Sequence, residues 1–498
     1  KLFRKSFTKN LYNFTILWNL TFQTLSPAGA ISQRLLKMAS PERFMMPRGA
    51  GACSVRTVSL PPHTHLRHAG AVVARIGEGR HDWPTRVAVP RHIPDIAGYP
   101  PMSPLLRPFC LMLTALAPVV GGLPVAWAAP APAPAVSFDR APFGATDDGH
   151  AVEQFTLRNA HGVTVRFMTY GATITAIETP DRHGDMRDVV LGFPTLSGYT
   201  HDSARGGLFF GAIIGRYANR LARGTFSLHG HTYHVAITAP PNALHGGKKG
   251  FDKQVWTFEG EQTDAHGASV TLGLISPDGD QGFPGTLHVH VTYRLDDANT
   301  LGVHYTATTD RPTVLNLTNH SYFNLAGEGS GSIENHILRI NADTFTPTDA
   351  TSIPLGPIAS VAGTPMDFRT AHRIGDHLRD NDPQIMYARG YDQNWIINTP
   401  AGTTPRLAAQ ISDPASGRMM EVWTTQPGLQ VYTSNSLDGA YAGVSGRAYR
   451  QTDAVAFEAE HFPDSPNHPD FPTTELRPGQ TFDHTTLFHF GISATKAP

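Results

Sequence analysis

The sequence predicts an all-β protein, a large antiparallel β-sandwich, on three observations. Apolar and polar residues alternate in one stretch after another from residue 136 onward, between Gly, Asn and Asp turns, and period two marks a strand with one buried face. No amphipathic pattern lasts three helical turns; the nearest, TAHRIGDHLRD at 370–380, is short. Strands do not alternate with helices, which argues against doubly wound sheets and (β/α) barrels. A Pro count of 40 and a Gly count of 47 fit a chain of many turns, and the absence of a fixed-period repeat argues against a propeller.

Taken in order, AVEQFTLRN, GVTVRFMTYGATITAIETP, GTFSLHGHTYHVAI and QVWTFEGE read as strands. ASVTLGLI, GTLHVHVTYRLDD and TLGVHYTATTD follow, then MMEVWTTQ and LQVYTSN. GTLHVHVTYRLDD is the clearest: Leu287, Val289, Val291, Tyr293 and Leu295 alternate with His288, His290, Thr292 and Arg294.

Residues 1–101 show no such pattern and are expected to be mis-assigned upstream sequence or disordered. Met102 opens MSPLLRPFCLMLTALAPVVGGLPVAWAAPAPAPA. Arg107 supplies a short positive region, 109–125 is mostly apolar, and Ala126-Trp127-Ala128 is a small-x-small cleavage site. That order predicts a signal peptide over 102–128, a Pro/Ala spacer over 129–135, and a folded domain over 136–498. The expected location is periplasmic or secreted. Prolines and glycines interrupt a run already short for a bilayer, so no membrane anchor is expected after processing. Cys53 and Cys110 precede residue 136, so the mature chain lacks cysteine, which suits an oxidising compartment.

A net charge of −1 gives no electrostatic case for nucleic acid or an anionic membrane surface. No GxGxxG follows a strand, and neither a P-loop nor a GxSxG elbow is present in the folded part. Two HxH pairs, His229 with His231 and His288 with His290, lack an obvious third ligand, and HExxH is absent, so neither metal nor cofactor is expected.

Polar-aromatic clusters separate the strands: GRYANRLARG (215–224), NALHGGKKGFDKQVW (242–256), SPDGDQGFPG (276–285), TNHSYFN (318–324), YDQNWI (391–396), TTQPGLQVYTSN (424–435) and FEAEHFPDSPNHPDFP (457–472). Hydroxyl-rich ligands need this mixture, in which polar groups bond hydroxyls and ring faces cover C–H patches. Together the clusters predict a carbohydrate cleft.

In these motifs, and in TYGATITAIETPDRHGDMRDVVLGF at 169–193, the sequence resembles the aldose 1-epimerase (galactose mutarotase) family. The resemblance covers nearly all of the folded part and none of residues 1–130. It implies a single-domain supersandwich of the galactose mutarotase type that interconverts the α- and β-anomers of free aldohexoses such as glucose and galactose. It also implies no cofactor, a place in hexose metabolism, and a monomer or weak dimer. Carried over by motif, Glu458 is the base and His320 the acid, while Asn219, Arg220, His245, Asp392 and Gln430 bind the sugar. Glu460 departs from the pattern, because the family often has Gln there. If the strand persists, Glu458 and Glu460 share a face, and the nearby like charge is expected to raise the pKa of one of them.

The chemistry explains the residue types. Anomerisation removes a proton from the C1 hydroxyl and delivers one to the ring oxygen; after rotation at C1, closure reverses both transfers. A carboxylate and an imidazolium suit this, and surrounding carboxylates are expected to raise the pKa of His320. Three rivals use the same residues differently. A hexose-6-phosphate epimerase would recruit Lys248 and Lys249 for the phosphate. A glycoside hydrolase or lyase would pair Glu458 with Asp392. A non-catalytic module would bind sugar only.

N-terminal sequencing of the exported protein checks the processing expectation. Cleavage near Ala128-Ala129 is expected, and a mature chain retaining residues 81–100 would contradict it.

Overall fold

The computed structural model describes residues 136–493. The readings made for 1–135, the signal peptide and spacer among them, lie outside the described residues.

Three antiparallel sheets dominate. The first is a five-stranded meander in chain order: Ser137–Ala145, Ala151–Arg158, Thr164–Met168, Ile174–Pro180 and Met186–Asp188. The second has nine strands, in the order Thr257–Asp264, Gly267–Ser276, Leu287–Asp296, Thr300–Thr309, Phe482–Ile492, Arg418–Thr424, Arg406–Ser412, Ile337–Ile340 and His372–Arg373. The third has six, in the order Tyr322–Phe323, Val455–Glu460, Gly428–Tyr432, Asp392–Ile396, Thr344–Thr346 and Ala359–Ser360.

The nine-stranded sheet packs against both of the others. Phe167 lies 4.5 Å from Tyr293 and Phe155 5.3 Å from Phe258, ring centre to ring centre, which joins it to the five-stranded sheet. Phe323 lies 5.1 Å from Phe488, which joins it to the six-stranded sheet. All but the half-buried Phe258, which packs against it, belong to one buried apolar cluster, and each such ring contributes about 1.5–3 kcal/mol by leaving water. The predicted all-β sandwich is therefore the fold, and Leu287–Asp296 alternates as its sequence predicts, with Leu287, Val289, Val291, Tyr293 and Leu295 inward.

The six-stranded sheet places the site. Val455–Glu460 is buried along its whole length. Phe457 and Ala459 enter the core, so by the two-residue period Glu458 and Glu460 share the opposite face. In register beside them, Gln430 pairs with Glu458 and Gly428 with Glu460; one strand further, Asn394 pairs with Gln430 and Asp392 with Tyr432. One sheet face thus carries Asp392, Asn394, Gln430, Tyr432, Glu458 and Glu460.

Segment 370–380, too short in the sequence to be read as a helix, forms the edge strand His372–Arg373 and a 3-10 turn, Ile374–Asp376, because pairing with Ile337–Ile340 claims its backbone. Helical turns lie elsewhere, over 196–206 and at Pro383–Ala388, where the Asp382 side chain accepts from the Gln384 amide at 2.8 Å and Arg389 ends the helix at φ 60°. One reading needs correction: FEAE, taken as part of a polar cluster between strands, has Glu458 to Glu460 inside an interior strand.

Phe323→Ala should cost about 3–5 kcal/mol, the usual range for an aromatic core truncation, because its ring joins Phe457 and Phe488 across two sheets. Urea unfolding measures this; a loss under about 1 kcal/mol would show that the sheets hold together without that contact.

Candidate active site

His320 is placed by the segment around it. Thr318–Asn319 pairs with Ile213–Ile214, and Tyr322–Phe323 pairs with Val455–Glu460, so His320 bridges two strand pairs beside Glu458. The His320 amide donates to the Ala212 carbonyl and its carbonyl accepts from the Gly211 amide. Asn319 braces both sides: its Nδ2 donates to the Gly211 carbonyl at 2.9 Å and its Oδ1 accepts from the Ser321 amide at 3.2 Å. Gly211 is required there, since its φ is 68° and a Cβ would strike the Ile174 carbonyl. Tyr322 stacks on the imidazole at 5.0 Å.

A second clip supplies Asn219, Arg220 and His245. Arg220–Leu221 pairs with Ala243–Leu244, and Asn219 and His245 both hold left-handed backbone, at φ 64° and 50°. Such conformations are uncommon outside glycine, although Asn and His adopt them more readily than most residues, and they cluster at functional sites. The His245 amide donates to the Asn219 carbonyl at 3.0 Å, and the Asn219 amide donates to His245 Nδ1 at 3.1 Å. A neutral His245 therefore carries its proton on Nε2 and presents a donor. The loop after the six-stranded sheet's buried strand secures this clip: Asp464 accepts from the Ala222 amide at 2.9 Å, and its own amide donates to the Arg220 carbonyl.

These parts converge on a cleft of about 610 Å³, lined among others by Phe209, Asn219, Arg220, His245, His320, Tyr322, Asp392, Tyr432 and Glu458. Its size suits a small polar ligand. His320 Nε2 lies 3.4 Å from Glu458 Oε1, and single side-chain atoms of His245, His320 and Glu458 all fall within 4.8 Å of one another. Arg220 faces Asp392 at 3.5 Å, and Gln430 Nε2 donates to Asp392 at 2.7 Å. Six of the seven residues singled out in the sequence line the cleft itself; Gln430 stands behind it, against Asp392.

Burial decides the charges. Glu458 is 2% exposed and His320 3%. Withdrawal from water pushes the Glu458 carboxyl well above the usual carboxylate range, with the neighbouring Glu460 and Asp392 adding to the effect. The same withdrawal lowers His320 to about 4 and His245 well below the ordinary imidazole range. The expectation that carboxylates raise His320 is thus corrected. At 3.4 Å an ion pair gains about 5 kcal/mol at an effective dielectric of about 20, whereas burying the two ions costs several kcal/mol each. The pair is held as neutral imidazole and neutral carboxyl, with one proton between them. His320 Nδ1 and Glu458 Oε2 have no hydrogen-bond partner among the described residues.

Glu460 is wholly buried. Its Oε1 accepts from Asn219 Nδ2 at 2.9 Å, and burial pushes its carboxyl up to about 8.

One cluster is not part of the cleft. SPDGDQGFPG wraps the buried Arg216, whose guanidinium donates to the carbonyls of Ser276, Pro277, Pro284 and Gly285, and none of residues 276–285 lines the cleft. Lys248 does line it; Lys249 does not. Both HxH pairs lie away from the cleft, with His229 against Glu475 and His290 against Glu259. Sequence reasoning missed Phe209, Tyr432 and Lys253. Lys253 pairs with Asp252 and lies 4.9 Å from the Phe209 ring centre. Only its place in GFDK next to NALHGG signalled it.

The family model described as aldose 1-epimerase matches residues 153–489. This chain belongs to the aldose 1-epimerase family. Human galactose mutarotase is 44% identical to it over 72% of this chain and 99% of the human protein. The Escherichia coli K12 aldose 1-epimerase is 38% identical over 69% of this chain and 96% of its own length. Among solved structures, galactose 1-epimerase from Lactobacillus acidophilus NCFM superposes with a TM-score of 0.63 and 30% identity, over 72% of this chain and all of its own. The family match reaches into all three sheets, leaving out the first strand, Ser137–Ala145, and includes every residue of the cleft named above.

Proposed function

We propose that this epimerase interconverts the α- and β-anomers of free aldohexoses, with Glu458 and His320 as the proton-transferring pair. The observation that carries this reading is the buried imidazole and carboxyl 3.4 Å apart on the floor of a polar cleft. Arg220, Asp392 and Asn219 offer charge-assisted and amide hydrogen bonds to hydroxyls, Gln430 holds Asp392 in place, and His245 offers its Nε2 proton. Tyr322, Tyr432 and Phe209 offer ring faces to C–H patches.

In the reaction the bound sugar first draws the shared proton from Glu458 onto His320; Glu458, now a carboxylate, takes the O1 proton while His320, now an imidazolium, protonates O5. The C1–O5 bond breaks, its electron pair stays on O5, and the O1–H pair closes the aldehyde. Glu458 is then a neutral acid and His320 a neutral base, which is the state that burial favours. The pair holds one proton before and after this step, so only its position changes. Rotation about C1–C2 and closure return both protons. Only interactions stronger in the transition state than in the closed sugar accelerate opening, and by reversibility they accelerate closure equally. No leaving group departs, so no covalent nucleophile is needed.

Polarimetry or NMR of freshly dissolved α-glucose and α-galactose, with the spontaneous rate subtracted, tests this. Glu458→Gln and His320→Asn should each lower kcat about 10²–10⁴-fold while circular dichroism reports an intact fold. Full activity in both folded variants would overturn the assignment, and sugar binding by the wild type without faster exchange would make the cleft a binding module.

A further inference from the structure

Glu460 occupies the position where this sequence departs from the pattern it resembles, and its surroundings suit an uncharged carboxyl. Oε1 accepts from the neutral Asn219 amide, while Oε2 has no hydrogen-bond partner among the described residues. The charged and titratable groups facing it are Glu458 on its own strand, Asp392 across the sheet, Arg220 beside Asn219, and the Tyr217 phenol, with Asp464 beyond. The one guanidinium among them, Arg220, already faces Asp392. A carboxylate in that setting is a buried charge with one neutral donor and no cation in contact, whereas the neutral acid is not penalised in this way. In the neutral form Oε1 is a carbonyl oxygen and does what a glutamine oxygen does at the same place.

We propose that Glu460 is a positioning residue that keeps a proton while the enzyme works: it holds the Asn219 side chain, through that residue's main chain supports the His245 tautomer, and on losing its proton it shuts the site down. This rests on the anomerisation reading. An ionised Glu460 sets a negative charge beside Glu458 and tightens Glu458's hold on its own proton. A base that keeps its proton cannot take one from O1, so the rate falls on the alkaline side. Burial places that step near pH 8. Glutamine at this position has no such step.

Rates of anomer exchange are measured from about pH 5 to pH 10 for the wild type, Glu460→Gln and Glu460→Ala. The wild-type rate should fall with a midpoint near pH 8, and the Gln variant, which copies the neutral form, should carry its alkaline limb at least about one pH unit higher. The Ala variant, with no group to hold Asn219, should show a KM several-fold above that of the Gln variant. Coincident alkaline limbs for wild type and folded Gln variant would overturn the proposal. The Asn219 side-chain amide reports the same step in the wild type alone: its NMR shifts should move near pH 8. Shifts that stay flat across the range would overturn the proposal even if the variants fail to fold. A wild type that does not speed anomer exchange would refute the anomerisation reading instead, and the amide titration would still decide the state of Glu460.

Discussion

The site depends on one constraint: an imidazole and a carboxyl share a single proton in a place from which water is excluded. His320 and Glu458 are 3.4 Å apart and almost wholly buried. In water such a pair would sit as two ions, and here desolvation outweighs their attraction. The neutral arrangement is also the one that proposed ring opening would leave behind. The protein therefore needs no strong acid or strong base; it needs two weak groups whose proton is easily moved when a sugar's oxygens come between them.

Keeping that pair dry governs the architecture. A strand ordinarily buries one face, but Val455–Glu460 buries both, with Phe457 and Ala459 on the core and Glu458 and Glu460 under the loops that form the cleft. Hydrogen bonds fix those loops. Asn319 braces His320 on both sides, Asp464 ties the Arg220 turn to the loop that follows Glu460, and Arg216, at the start of the Asn219–Arg220 segment, anchors it to the carbonyls of 276–285 outside the cleft. The left-handed backbone at Asn219 and His245 persists because the reciprocal bonds between those residues over-determine it.

What the sequence made legible follows from this division. Strands with one wet face, such as Leu287–Asp296, alternate openly and were read directly. Val455–Glu460 does not present itself as a strand, because its polar face is as buried as its apolar one and Glu458 and Glu460 look like surface residues. Phe482–Ile492 is hidden for a different reason: its inward face carries the polar His484 and Thr486 between Phe482 and Phe488, which breaks the apolar period. The site residues were found by motif; periodicity alone said nothing of them. Their protonation is not legible there, since a sequence shows neighbouring carboxylates and does not show desolvation. SPDGDQGFPG had the composition of a ligand loop and turned out to serve a buried arginine, because composition does not say which way a loop faces.

The most direct measurement of this account is ¹⁵N NMR of the histidine rings in the free protein, with His320 assigned by comparison with His320→Asn. A neutral His320 ring is expected at pH 7, titrating only as the pH approaches 4. An imidazolium at pH 7 would contradict it, because the pair would then rest as two buried ions and the proton would not lie where burial places it.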